Sequence, residues 1–315
     1  MLTRFPYTAL AILAVSCVCV AGSVTSLAHE GLSHDIERET QSLVEDPSDV
    51  EARLRRAHYY RLDGQPEKAL ADLQQATRLA PDDARVHIEK GFTLAALGRN
   101  TDAETELTAF ISQTGGTSTA HAERARLRAG TGRPDLAIAD LDAAIGLGPS
   151  LELYLERGRL LESQTRYAEA ATGYRDGLTR LGESPLLRRP LVAALIVLER
   201  YDDALTAIDA ALARGQLETQ WLVERAEVLE RMGRTEDAQK ARLRALTNAN
   251  ESLGKHPTSA NLVTRAKVHL ALGDPPAARR DLEQALRNSP QMENAKAMLS
   301  AIEAEAEQPE VEEQR

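Results

Sequence analysis

The residues best suited to covalent or metal chemistry are few and stand near the amino end. The two cysteines are Cys17 and Cys19. If the leader that holds them is removed, no thiolate nucleophile, disulfide or cysteine-ligated zinc remains possible. The string His29-Glu30-Gly31-Leu32-Ser33-His34 approaches the H-E-x-x-H zinc pattern but carries one residue too many before its second histidine. A histidine at a newly exposed amino terminus offers a different chemistry. Its α-amine and imidazole together chelate Cu²⁺, and a second histidine can add a ligand. His29 and His34 are therefore the metal candidates, and copper handling is the alternative function. The chain contains no G-x-S-x-G elbow, P-loop or dinucleotide fingerprint. The expectation is a non-enzyme with no cofactor.

The first 28 residues read as an export signal. Arg4 supplies a positive start, Ala9 to Val20 an apolar stretch, and Ser26-Leu27-Ala28 the small residues that a signal peptidase reads. Cleavage after Ala28 would make His29 the new terminus and place the protein in a periplasm or outside the cell. The apolar run is short for a membrane span. Ala14-Val15-Ser16 before Cys17 is a poor lipidation signal. Membrane contact is expected only if the leader is retained or lipidated.

The formal charge is −10, and six glutamates fall between Glu303 and Glu313. An acidic chain lacks the basic face that nucleic acid demands, so no nucleic-acid partner is expected. Lysine is scarce beside arginine, an association with GC-rich bacterial genomes. Aromatics make up 3% of the chain and hydrophobics 43%, so any core is built from Ala and Leu, which suit closely spaced helices.

A period of about 34 residues runs through most of the chain. Small residues follow a base at Arg56-Ala57, Lys90-Gly91, Arg124-Ala125, Arg157-Gly158, Arg225-Ala226 and Arg265-Ala266. A second series is Ala69, Ala103, Ala137, Ala170, Ala204, Ala238 and Ala278, and a third runs from Ala76 and Phe110 to Ala285. Gly64, Gly98, Gly132, Gly233 and Gly273 fall between the first two, where a helix would end in the left-handed conformation. Pro81, Pro149 and Pro290 close repeats. Small residues at positions 8, 20 and 27 with Pro at 32 resemble the tetratricopeptide repeat. The resemblance implies an all-α, right-handed solenoid of stacked helix–turn–helix repeats. Seven are expected: 50–83, 84–117, 118–150, 151–184, 185–218, 219–252 and 259–292. The segment 29–49 would supply a front cap with a helix at about 34–45. A helix over 293–306 would cap the far end, followed by an acidic, disordered tail at 307–315.

Two departures from the family pattern need an account. Position 4, usually aromatic, holds Arg53, His87, His121, Tyr154, Arg188, Leu222 and Leu262. Position 7, usually Leu, is a base in six repeats. Every repeat with an acid at position 23 has that base, so ion pairs Arg56–Asp72, Lys90–Glu106, Arg124–Asp140 and Arg265–Asp281 are expected to bridge the two helices. In the fifth repeat, Pro190 predicts a first helix starting late, near Arg189, because proline is tolerated only in the first turn. Six extra residues, 253–258, separate the last two repeats.

In this family the first helix of each repeat lines a concave groove, so the resemblance implies binding there of a protein or peptide partner. Candidate groove residues are His58, Phe92, Arg126 and Arg159 at position 9, with Ile196 and Val197 at positions 12 and 13. An aromatic, two guanidinium groups and an aliphatic pair suit an extended acidic–apolar segment. Members that grip a terminal carboxylate use Lys and Asn at positions 5 and 9, and no Asn stands there in this chain. The expected role is a scaffold that assembles a complex in the cell envelope, with self-association as the nearest rival.

Overall fold

The computed structural model describes residues 21–307, and the side chains of 31–305. Cys17, Cys19, most of the leader and nearly all of the acidic tail lie outside the described residues. Those described form sixteen helices and no strand. Contacts divide the chain into two units, 1–133 and 134–315, with the division between the two helices of the third repeat.

The first unit holds α1 (Ala21–Glu45), α2 (Val50–Leu62), α3 (Pro66–Leu79), α4 (Ala84–Ala96), α5 (Asn100–Thr114) and α6 (Ser118–Gly130). The second holds α7 (Pro134–Leu147), α8 (Leu151–Ser163), α9 (Tyr167–Leu181), α10 (Pro185–Val197), α11 (Tyr201–Leu212), α12 (Glu218–Arg231), α13 (Thr235–Lys255), α14 (Ser259–Ala271), α15 (Pro275–Asn288) and α16 (Glu293–Glu307). Within each unit consecutive helices pack against one another.

Local chemistry sets these boundaries. Asp49, Asp83, Thr117, Ser150 and Thr258 cap the first helices of their pairs with a side-chain oxygen. Pro66 and Pro275 occupy first turns, where no N–H is needed. Between paired helices the chain turns through Gly64, Gly98, Gly132, Gly233 and Gly273, all at φ between 71° and 75°. Repeats 4 and 5 have Thr165 and Glu199 at that place, both forced to φ 57°.

Two helix starts differ from expectation. Helix α1 is already formed at Ala21, the first described residue, rather than starting near residue 34; Gly22 and Gly31 within it weaken a helix without ending it. Helix α10 begins at Pro185, not near Arg189. Pro185 takes the first helical position, and Pro190 is carried inside the helix. Its missing N–H would have met the carbonyl of Leu186, an exposed residue whose oxygen can turn to water.

The base at position 7 does more than bridge one pair. Arg56 donates to Asp72 through Nε and Nη2, both at 2.7 Å, and Arg265 holds Asp281 at 2.8 and 2.6 Å. Lys90 stands 2.6 Å from Glu106. Arg124 and Asp140 fall in different units, and each is buried. Each of these arginines also reaches the preceding helix: Arg56 donates to Thr40, Arg124 to Thr108 and Arg265 to Asn250, at 3.1, 3.2 and 3.0 Å. Where position 23 is Gly173 or Ala241, Arg157 and Arg225 turn to an acid on that preceding helix, Asp142 at 2.5 Å and Asp209 at 3.0 Å. The base thus ties neighbouring repeats together. The bases at position 4 join the same network, with Arg53 3.7 Å from Asp72 and His87 2.6 Å from Glu106.

Candidate functional site

The candidate groove residues lie on first helices. In the first unit, His58 is half-buried on α2 and Phe92 half-buried on α4. They are joined through two residues the sequence reading did not name. His58 Nδ1 lies 3.3 Å from a Glu89 carboxylate oxygen and 3.2 Å from Arg61 Nη2. Arg61 stands 3.5 Å from Glu89, and its guanidinium is 5.5 Å from the centre of the Phe92 ring. A cation over an aromatic face is an attractive contact, so α2 and α4 share a compact cationic–aromatic patch. Arg61 and Glu89 lie three residues from His58 and Phe92, the spacing of neighbours on one helix face. That spacing was the available signal. Phe92 also packs against the apolar core of its unit. Arg126 is exposed on α6 and meets Glu123 at 3.1 Å.

In the second unit, Arg159 is exposed on α8. It makes no hydrogen bond or ion pair with a described residue and acts on Glu162 only through space. Burial pushes the Glu162 carboxyl upward, against a 2.9 Å hydrogen bond donated by the Tyr174 hydroxyl and against the Arg159 charge. On α10, Ile196 is half-buried and Val197 is 55% exposed. Leu186, 60% exposed, and exposed Ala193 stand eleven and four residues before Val197 and complete an open apolar row. Leu186 stands at position 2 of its repeat, on the first helix and ahead of the candidate positions 9, 12 and 13. Arg189 sits in that row, 5.7 Å from the Trp221 ring centre and 3.5 Å from Glu224. Burial raises the Glu224 carboxyl, with Arg189 opposing.

Among the described residues no group of three or more His, Cys, Asp or Glu could hold a metal ion. His34 is exposed on α1, and the His29 side chain lies outside the described residues. Among the described residues no helix is long and apolar enough to cross a membrane.

Paired helices packed in sequence, each turning on a left-handed residue, define a helical-repeat solenoid. Three tetratricopeptide-repeat profiles match the sequence, over 54–116, 121–251 and 217–291. The chain belongs to the tetratricopeptide-repeat family, whose members are in general non-enzymatic scaffolds for protein–protein contact. No curated protein matches. Among solved structures, the carboxy-terminal part of a repeat protein from Cytophaga hutchinsonii is similar at 14% identity and TM-score 0.53, covering 78% of this chain and 99% of that one. A tetratricopeptide-repeat protein from Parabacteroides merdae aligns at 19% identity and TM-score 0.45, covering 81% and 98%. YrrB, described as having an unusual peptide-binding site, aligns at 17% identity and TM-score 0.48, covering 56% and 92%.

Proposed function

We propose that this protein is an exported scaffold of the cell envelope, released from its leader after Ala28, which assembles a complex by holding a partner segment on its first-helix faces. The observation that carries the reading is on α8 and α10. Leu186, Ala193 and Val197 leave an apolar row open to solvent, and the neighbouring helix presents Arg159 without a partner among the described residues. Apolar area offered to a ligand is worth about 25 cal/mol per Å² before the costs of association. An open guanidinium adds a directed contact for a carboxylate. The matching ligand is an extended or helical segment with aliphatic side chains and an acid.

The test is crosslinking and capture from the native envelope fraction, with wild type and the variants Arg159→Ala and Val197→Asp compared. Wild type should bring down a partner that both variants lose, by more than ~1 kcal/mol in the binding of purified components. Helical content should stay unchanged, since exposed substitutions seldom cost more than about 0.5 kcal/mol. Equal capture by all three proteins would move the site off α8 and α10. Recovery of the native protein only outside the envelope would overturn the location.

A further inference from the structure

The six extra residues between the last two repeats build a second feature, separate from the α8–α10 face. The other second helices of the C-terminal unit have 12 to 15 residues, whereas α13 has 21. The added turns set its carboxyl end beside the starts of α12 and α14. They wall a cavity of about 400 Å³, within the range of small-ligand sites.

The lining is polar; Glu218 is held by Arg244, and Asn261 and Thr264 donate to backbone carbonyls, while six other polar side chains are open. Thr219, Gln220, Asn248, Glu251, Ser252 and Lys255 all face the cavity. None of their side chains makes a hydrogen bond or ion pair with a described residue. Thr219 is only 8% exposed as a residue, and its side chain lines the cavity with no partner among the described residues. Glu251 and Lys255 are four residues apart on α13, a spacing that commonly closes an ion pair, yet the two do not pair. On the opposite wall α12 follows Leu217, an N-cap residue at φ 54° that makes no side-chain cap, which leaves first-turn N–H groups without a side-chain acceptor.

We propose that this cavity binds a small zwitterion of the amino-acid or dipeptide class. Lys255, the Thr219 hydroxyl and the uncapped turn of α12 are donors for a carboxylate. Glu251 receives the ammonium, and the amides of Gln220 and Asn248 can both donate to and accept from the atoms between. A sugar finds no aromatic platform here, since the apolar lining is limited to Leu217 and Ala249. A simple anion would leave Glu251 opposed rather than satisfied.

The probe is glycylglycine, titrated calorimetrically into the full chain. It should give a saturable heat. Glycylglycinamide and N-acetylglycylglycine, which each lack one charge, should bind at least about tenfold more weakly, the scale of one lost charged hydrogen bond. Lys255→Ala, on the exposed end of α13, and Thr219→Val, which keeps the buried volume, should weaken glycylglycine similarly while helical content is retained. Should Thr219→Val fold poorly, Lys255→Ala alone decides. Arg159→Ala should leave this binding intact, so loss of the scaffold reading would not touch it. The proposal fails if glycylglycine gives no saturable heat, if the singly charged analogues bind equally well, if Lys255→Ala binds as wild type, or if glucose binds where glycylglycine does not.

Discussion

In the first repeat the seam between α2 and α3 carries charge beside its apolar core of Ala57, Ala69 and Leu73. Asp72, 6% exposed, accepts two hydrogen bonds from Arg56 and lies beside Arg53. In the fourth repeat the seam between α8 and α9 is filled by rings. Tyr154 and Tyr174 are 2% and 0% exposed, and each lies over a glycine of the opposite helix. A Cβ on Gly158 would stand 2.2 Å from the Tyr174 ring, and one on Gly177 would stand 3.0 Å from Tyr154. The backbone plan is the same in both. What differs is how volume and charge are balanced across the seam, and an aromatic at position 4 or 24 requires the small residue facing it. The charged seam needs all its members, because a carboxylate or guanidinium left alone away from water is costly. The aromatic seam depends on shape, because a packed interior forgives neither voids nor excess.

Each seam can be broken in its own way. The largest effect is expected from Tyr174→Ala, at ~3–5 kcal/mol for removal of a buried ring. Gly158→Ala should cost ~1–3 kcal/mol by overpacking. The double variant should cost less than the sum, since the methyl then fills space the ring has left. Urea unfolding of the three proteins measures this, and strict additivity would show that the glycine is not there to admit the ring.

For the charged seam, Asp72→Ala should cost about 2–4 kcal/mol, below the full value for a deeply buried pair because Arg56 keeps some access to water. It should also loosen α1 from α2, since Arg56 holds Thr40 while it is fixed on Asp72. Hydrogen exchange on α1 is the readout. A variant as stable as wild type, with α1 unchanged, would mean that the ion cluster only fills space.

Between the two seams stands the turn that joins each helix pair. The first repeat uses Gly64 and the fourth Thr165, at nearly the same φ. A residue with a Cβ pays about 1–2 kcal/mol in that region. Thr165→Gly and Glu199→Gly should therefore each raise stability by about 1 kcal/mol, the gain being reduced by glycine's greater freedom in the unfolded chain. A fall in the urea midpoint would show that these side chains earn contacts that outweigh the strain.

The period, the turning glycines and the ion pairs Arg56–Asp72, Lys90–Glu106 and Arg265–Asp281 were legible because each involves one helix pair, whose geometry the spacing dictates. The reach of Arg56, Arg124 and Arg265 to the preceding helix was not legible, since it involves a third helix. Arg157 and Arg225 have no acid at position 23, and only the packing of the preceding helix shows that Asp142 and Asp209 replace it. Pro190 misled for a local reason: Pro185 already supplies a good helix start, and one absent hydrogen bond beside an exposed residue does not end a helix. In the groove, single residues at fixed positions were readable. Arg61 and Glu89 escaped because neighbours along a helix matter as much as the nominal position, and Leu186 because it stands at position 2, ahead of the positions that held the candidates.

The smallest effect separates the regions by sign. Glu162, at the edge of the tyrosine seam, is raised by burial despite the Tyr174 hydrogen bond. For Glu104 on α5, burial acts upward too, but hydrogen bonds from Arg133 and Arg128 outweigh it and hold the carboxyl low. In the unfolded chain both titrate near the ordinary value of about 4.3. A carboxyl raised by folding contributes stability that is complete below the unfolded value and lost as pH rises through the folded one. A lowered carboxyl contributes stability that is present above the unfolded value and lost as pH falls through the folded one. Glu162→Gln should therefore stabilise at neutral pH, and Glu104→Gln should destabilise there. Both differences should shrink as the pH is lowered through the carboxylate range. Thermal midpoints of the two variants against wild type, taken from neutral to acid pH, supply the check. Shifts of one sign in both would mean that burial rather than partner governs these carboxyls, and the contrast between the charged and aromatic repeats would not extend to their titration.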